Sequence, residues 1–329
     1  MAEKRWIFHV GMPKTGSSYL QSLFATNAVT FASHGIDYSH PNPELLDKAR
    51  RGDITSGNFD PRNAGIHLDR LEKVASETVL VSNEIMFNAG MIEANQRQRI
   101  ADLHPTIIMY VRNPVETMAS YHVQGIKRNG QGVVGPNVIW GSRPDRLRNF
   151  CETQAQLLRS WIELHRRGTI TLRILPYDRN RDFVGDWAEI LGIPASAFEL
   201  PAQKMVNRGL SLAEMRLIYR LRKGRHVRNM SSLSDAICQN FPHIPSELPL
   251  PRYPEAAKEI MEDVWGKLRE EFPEETREIV WSSYHPAELG LTAFPGADRV
   301  RGPRLRLILR HIASNFSWSK LPIDPENRW

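Results

Sequence analysis

An α/β fold built on a central parallel sheet of about five strands flanked by helices is what this sequence predicts, and three observations carry that prediction. Short apolar runs recur along the chain, most end in turn-forming or ligand-like residues, and apolar residues at helical spacing follow them. Strands are expected in order at Arg5 to Val10, near Ile36 to Tyr38, and at Thr78 to Val81, Thr106 to Val111 and Thr169 to Leu175. After the first, Leu20, Leu23 and Phe24 mark a helix; after the fourth, Val115, Met118 and Ala119 do the same.

The rest of the chain is read from punctuation. Residues 39–65 are polar and rich in Pro, Asn and Gly, and residues 125–148 are rich in glycine, so both are expected as long loops that either cover a substrate or decorate the surface. Ser211 with Glu214 forms a capping box that starts a helix running to about Lys223 before Gly224. Phe241 to Pro254 reads as a Pro-rich connector. The 329 residues have room for two domains or for one large domain with insertions. One α/β domain over 1–295, followed by a basic tail over 296–329, is the organisation expected.

Composition excludes several classes. With 41% hydrophobic and 24% charged residues the chain is neither disordered, collagen-like nor a coiled coil. The net charge of +6 favours an anionic ligand or surface without requiring nucleic acid, and no helix-turn-helix, zinc or RNP pattern supports one. Cys151 and Cys238 are too few for a disulfide framework or a zinc site, and no His/Cys/Asp cluster has metal-ligand spacing, so no metal is expected. The apolar run Trp6 to Val10 is too short for a signal peptide, and no stretch approaches the roughly 20 apolar residues of a membrane span. A cytoplasmic location is expected.

The informative segment follows the first strand. Gly11-Met12-Pro13-Lys14-Thr15-Gly16-Ser17-Ser18 opens the first helix, and its glycines let the backbone fold into a concave nest for phosphate or sulfate. A nucleotide P-loop would carry its lysine at position 17; here it stands inside the loop, at 14, with Ser17 and Ser18 as hydroxyl donors. These residues resemble the sulfotransferases that use 3′-phosphoadenosine 5′-phosphosulfate (PAPS), whose 5′-phosphosulfate loop Pro13-Lys14-Thr15-Gly16-Ser17-Ser18 fits position by position. The resemblance implies a nucleotide-kinase-like fold, PAPS as the sulfuryl donor, and donor contacts from Pro13 through Ser18.

A second constellation lies at Arg112-Asn113-Pro114. Asn113 suits a helix cap, Pro114 the first helical position and Glu116 the third, which leaves Arg112 at the strand's carboxyl end. Spacing alone does not fix whether Ser120, about two turns into the helix, meets the same ligand. Arg112, Pro114 and Ser120 match the family's 3′-phosphate motif, which implies that Arg112 and Ser120 hold that phosphate, the guanidinium through its fork. Leu175-Pro176-Tyr177-Asp178 resembles the family's Tyr-Glu-Asp strand end and implies Tyr177 near the adenine, although a core aromatic is the plain alternative. Phe183, Trp187, Leu191, Gly192 and Ile193 resemble the helix and turn that follow.

Sulfuryl transfer needs a stabilised leaving phosphate and a deprotonated acceptor. Lys14 is the expected stabiliser. The strand ending Val81-Ser82-Asn83-Glu84 puts Glu84 at the carboxyl edge where open α/β sheets bind ligands, and Glu84 is the expected general base. The resemblance adds that glycan-directed and many bacterial members use a glutamate, so a carbohydrate or glycolipid acceptor is expected. His122 is the alternative base, and His9, inside the first strand, reads as a packed core residue. A nucleotide-dependent kinase is the competing enzyme, lacking its Gly-Lys-Ser/Thr ending and a clear Walker B aspartate. Arg299, Arg301, Arg304, Arg306 and Arg310 beside Leu305, Ile308, Leu309, Ile312 and Phe316 form a basic amphipathic stripe, which packs on its own domain or docks peripherally on an anionic membrane through 299–316.

Overall fold

In the computed structural model, which describes residues 4–52, 57–88, 94–129, 144–177, 181–202, 208–223, 230–249, 251, 253–279, 291–292, 306–307 and 309–310, the parallel sheet is present. The elements begin with β1 (Arg5–His9), α1 (Ser17–Thr26), α2 (Ala28–Ser33), β2 (Ile36–Asp37), α3 (Pro43–Arg50), α4 (Ala64–Leu71) and β3 (Thr78–Ser82). They continue with α5 (Ala94–Asp102), β4 (Thr106–Val111), α6 (Pro114–Asn129), α7 (Pro144–Arg166), β5 (Thr171–Pro176) and α8 (Phe183–Leu191). The last are α9 (Leu212–Lys223), α10 (Met230–Asn240), β6 (Leu248–Pro249), α11 (Pro254–Glu271) and β7 (Leu291–Thr292).

The chain divides into two units. Met1–Met118, Arg143–Asn207 and Tyr253–His285 form the first; Ala119–Ser142, Arg208–Arg252 and Pro286–Trp329 form the second. Helix α6 begins in the first and runs on into the second.

The first unit holds a sheet of five strands in the order β2-β3-β1-β4-β5, every neighbouring pair parallel. All five expected strands are there, with ends shifted by a residue or two. Ile7 and Phe8 in β1, Val79 to Val81 in β3 and Ile107 to Val111 in β4 are all buried, because helices cover both faces of the sheet. From β1 the chain goes out to β2, returns through β3 and then crosses to β4 on the other side of β1. The carboxyl end of β1 is therefore the switch point, where the crossover connections leave in opposite directions.

Helix α1 presents Leu20, Leu23 and Phe24 to the sheet, and Phe24 meets the indole of Trp187 from α8 edge-on at 4.6 Å. Helix α8 starts where Asp182 Oδ1 accepts a hydrogen bond from Gly185 N at 2.9 Å. It stops at Gly192 in the left-handed conformation, with Ile193 N bonded to Ala188 O at 3.0 Å. Helices α7 and α11 of the same unit are tied by Arg148–Asp263 and Arg159–Glu271, each at 2.6 Å.

Residues 39–65, expected as one long loop, instead carry α3 and a short 3₁₀ turn at Pro61–Asn63. Asn42 caps α3 by accepting from Glu44 N at 2.9 Å and Pro43 opens it, yet only Ala49 is buried, so the helix has no apolar stripe to betray it. Of the other expected loop, α6 takes up 125–129 and α7 begins at Pro144; residues 130–143 lie outside those described.

In the second unit the capping box of α9 forms as read: Ser211 N donates to Glu214 Oε2 at 2.8 Å and Glu214 N to Ser211 Oγ at 3.4 Å. The expected connector 241–254 includes β6, paired in parallel with β7. Of the basic stripe, Arg306, Leu309 and Arg310 are helical and Leu309 is exposed; its other residues lie outside those described. Among the described residues no helix is long and apolar enough to cross a membrane.

Candidate functional site

Four strand ends of the first unit supply the site: β1 leads to the loop Gly11–Ser18, β3 to Glu84, β4 to Arg112 and β5 to Tyr177. The loop is anchored from below. Val10 N and Met12 N donate to Ile108 O and Tyr110 O of β4 at 2.9 and 3.2 Å, and the Thr15 hydroxyl donates to Met12 O at 2.6 Å. Lys14 (φ 73°) and Gly16 (φ 79°) both take the left-handed conformation, and this alternation turns successive N–H groups toward one concave side. For Gly16 the absence of a side chain is also a matter of room, since a Cβ there would stand 3.1 Å from the Phe183 ring and 3.2 Å from the Tyr177 ring. At Lys14 the conformation costs energy that the surrounding contacts must offset. The first N–H groups of α1, from Ser17 onward, have no acceptor within the helix and carry its positive dipole end.

Arg112 is buried and reaches the loop directly. Its Nη1 donates to Lys14 O at 2.8 Å, its Nε pairs with Glu116 Oε2 at 3.0 Å, and its guanidinium carbon lies 5.1 Å from the centre of the Tyr177 ring. The cap read from the sequence is present: Val115 N donates to Asn113 Oδ1 at 2.9 Å, so α6 starts where Arg112 is left at the strand end. Tyr177, partly buried, leans on Phe183 with ring centres 6.1 Å apart. That places it between the arginine and the loop's Gly16, and its neighbour Asp178 lies outside the described residues.

Glu84 opens a 3₁₀ turn, Glu84–Phe87, and its Oε2 accepts a hydrogen bond from the Ser17 hydroxyl. The carboxylate therefore meets the Gly11–Ser18 loop although 67 positions separate the two residues. Pro13, Lys14 and Ser18 are partly buried, while Thr15 and Ser17 are buried.

Ser120 stands four positions beyond Glu116 on the continuous helix α6, in the second unit, and is partly buried. His122, also in the second unit, is buried, and desolvation lowers its pKa to about 4. His9 is fully buried as a core residue. Its Nδ1 lies 2.9 Å from Ser82 Oγ, and the rings of Phe24, Tyr110 and Trp187 meet it edge-on within 6.0 Å. Burial lowers its pKa to about 3. Among the described residues no group of three His, Cys, Asp or Glu side chains could hold a metal ion.

No family model matches the chain, and no curated protein matches it. Among solved structures, that of mouse sulfotransferase SULT7A1 complexed with PAP is similar to this chain at 18% identity, covering 85% of this chain and 84% of that one, with a TM-score of 0.33. At that score no residue role transfers.

Two features of the site escaped the sequence. Glu116, read only as a residue suited to the helix's first turn, is the buried partner of Arg112; the i,i+4 spacing of opposite charges was the available signal. Asn83, between the strand end and Glu84, caps the 3₁₀ turn by accepting from Ile85 N at 2.7 Å, and an Asn at that place is an ordinary cap signal.

Proposed function

We propose that this chain is a sulfotransferase that moves a sulfuryl group from PAPS to a hydroxyl or amine of a carbohydrate or glycolipid acceptor. The observation that carries the reading is the convergence of the Lys14 loop, Glu84, Arg112 and Tyr177 at the carboxyl ends of four strands of one unit, joined by the Ser17–Glu84 and Arg112–Lys14 hydrogen bonds. These residues suit such a donor: a left-handed nest at a helix N-terminus for the 5′ anion, a buried guanidinium for a second phosphate, and aromatic faces beside both. The donor supplies an electrophilic sulfur and a phosphate leaving group.

The chain's own groups do the rest. Lys14 and the N–H groups of Gly16 to Ser18 stabilise charge on the departing phosphate oxygen. Glu84 accepts the acceptor's proton as the acceptor oxygen or nitrogen bonds to sulfur and the sulfur–phosphate oxygen bond breaks. With Oε2 held by Ser17, Oε1 is the oxygen suited to take that proton. A cytoplasmic enzyme that meets an anionic membrane through 299–316 is the proposed setting.

Thermal shift with 3′-phosphoadenosine 5′-phosphate (PAP) and with Mg²⁺·ATP tests the donor class. At about 100 times its dissociation constant PAP should add roughly 2.7 kcal/mol. Stabilisation by Mg²⁺·ATP and not by PAP overturns the proposal in favour of a kinase. Transfer of radiolabelled sulfate across a glycan and glycolipid panel then tests the acceptor. Glu84→Gln, which still offers Ser17 an acceptor, should lower turnover by about 10²–10⁴-fold with PAP affinity unchanged. Wild-type turnover in that variant removes Glu84 as base.

A further inference from the structure

We infer that Asn58 is a positioning residue for Glu84, and that Gly57–Phe59 belongs to the edge of the sheet beside the site; this rests on the function proposed above. Strand β2 is too short to cover β3. Its pairing ends at Asp37 against Val79, which leaves the last backbone groups of β3 to be satisfied by something else. The Asn58 carboxamide does this. Its Nδ2 donates to Leu80 O at 2.9 Å and to Ser39 O at 3.3 Å, and its Oδ1 accepts from Ser82 N at 2.8 Å. One side chain thus serves β3 as a strand residue would, at both a donor and an acceptor.

The backbone on either side is fitted to the same place. Gly57 takes φ +85°, and a Cβ there would stand 1.9 Å from Ser82 O, so no larger residue fits without moving the strand end. Asn83 Nδ2 donates to Phe59 O while Asn83 N donates to His9 O at 3.1 Å, holding the residue before Glu84 from two sides. Asn58, Phe59, Ser82 and Asn83 are each no more than 2% exposed. The carboxylate that meets Ser17 therefore leaves a strand end whose backbone is fixed by residues about 24 positions earlier.

The test is a double-mutant cycle on the full chain, with kcat, donor KM, PAP affinity and melting temperature measured for wild type, Glu84→Gln, Asn58→Ala and the double variant. Asn58→Ala is expected to lower kcat by about 10- to 10²-fold, as misplacement of a catalytic group does, with PAP affinity unchanged. In the Glu84→Gln background it should have almost no further effect on kcat, because there is no base left to misplace. A merely structural Asn58 would lower kcat equally in both backgrounds, or not at all, and that overturns the inference. If Asn58→Ala does not fold, Asn58→Asp serves in the same cycle: it keeps the acceptor for Ser82 N and loses the bond to Leu80 O. Wild-type turnover in Glu84→Gln alone overturns the base, and the role of Asn58 with it. A large loss in Glu84→Gln with an independent effect of Asn58 overturns only the present inference.

Discussion

Each unit of the molecule buries an arginine against a glutamate, and the two pairs are built to opposite ends. In the second unit Arg208 and Glu214, 1% and 0% exposed at the side chain, meet through two bonds of 2.8 and 3.1 Å. The fork of Arg208 also donates to Gly209 O at 2.8 Å and Ile237 O at 3.4 Å, and Glu214 closes the capping box of α9. Those bonds all go to neighbouring protein groups. In the first unit Arg112 gives Glu116 a single bond through Nε and turns its Nη edge to the Lys14 carbonyl and the face of Tyr177. The same two residue types make glue in one case and, in the other, hold a guanidinium at the carboxyl end of β4 beside the Lys14 loop. What separates them is how many of the five N–H donors the protein itself engages.

Breaking the closed pair should have the largest effect. Arg208→Ala leaves a buried carboxylate without its partner and should cost about 3–5 kcal/mol of stability by chemical denaturation. A cost below about 1 kcal/mol would show that Glu214 finds another partner or water, and the contrast between the pairs would fall.

Arg112→Ala asks whether the open pair serves a ligand. Loss of a charge-assisted contact of roughly 1.5–3 kcal/mol should weaken PAP about 10- to 10²-fold by calorimetry. Adenosine 5′-phosphosulfate, which lacks the 3′-phosphate, should weaken less, though measurably, because the bond to Lys14 O is lost with either ligand. An equal loss for both would make Arg112 a support of the loop and no more.

How much of this was legible in the sequence follows from how local each signal is. Strand β4 could be read because both its faces are buried, which makes Ile107–Val111 one apolar run. The Lys14 loop could be read because its chemistry lies within eight consecutive residues. Helix α3 could not be read from periodicity, because it buries only Ala49; Asn42-Pro43-Glu44, its start signals, stood among polar residues that resemble a loop. Asn58 carried no signal at all. Its role depends on where β2 stops along β3, a matter of register between segments far apart in the chain. Glu84 is legible as the residue that follows the β3 strand end, but only the fold brings the Ser17 hydroxyl to its carboxylate.

A third buried cationisable group sharpens the contrast, because among the described residues it has no carboxylate partner. His9 is fully buried with no hydrogen bond at Nε2 among the described residues, and its pKa falls to about 3 from an ordinary 6.5. Below pH 6.5 the unfolded chain takes up a proton that the folded chain refuses. The stability from this group is complete above that pH and is lost as pH falls toward 3. Between pH 7 and pH 5 it should amount to about 2 kcal/mol, with His122 acting in the same direction. Denaturation at both pH values should show this loss in the wild type and a smaller one in His9→Gln. The same slope in both would mean that His9 gains a proton in the folded state.

The smallest expected effect bears most directly on why the open pair is open. Glu116→Gln keeps an oxygen that can accept from Arg112 Nε and removes only the counter-charge. Half-neutralised by Glu116, Arg112 attracts an anion less strongly than a lone guanidinium would. The glutamate's contribution is then to tolerate a buried cation when no ligand is bound, at some expense to affinity. The substitution should therefore lower stability by about 1 kcal/mol without ligand and leave PAP binding equal or a few-fold tighter, the gain shrinking as salt is raised. Melting temperature and PAP affinity, measured on one preparation at low and at high salt, separate the two effects. Weaker PAP binding would mean that the orientation Glu116 imposes on the guanidinium outweighs the charge it cancels, and Glu116 would then act as part of the anion site instead of as its ballast.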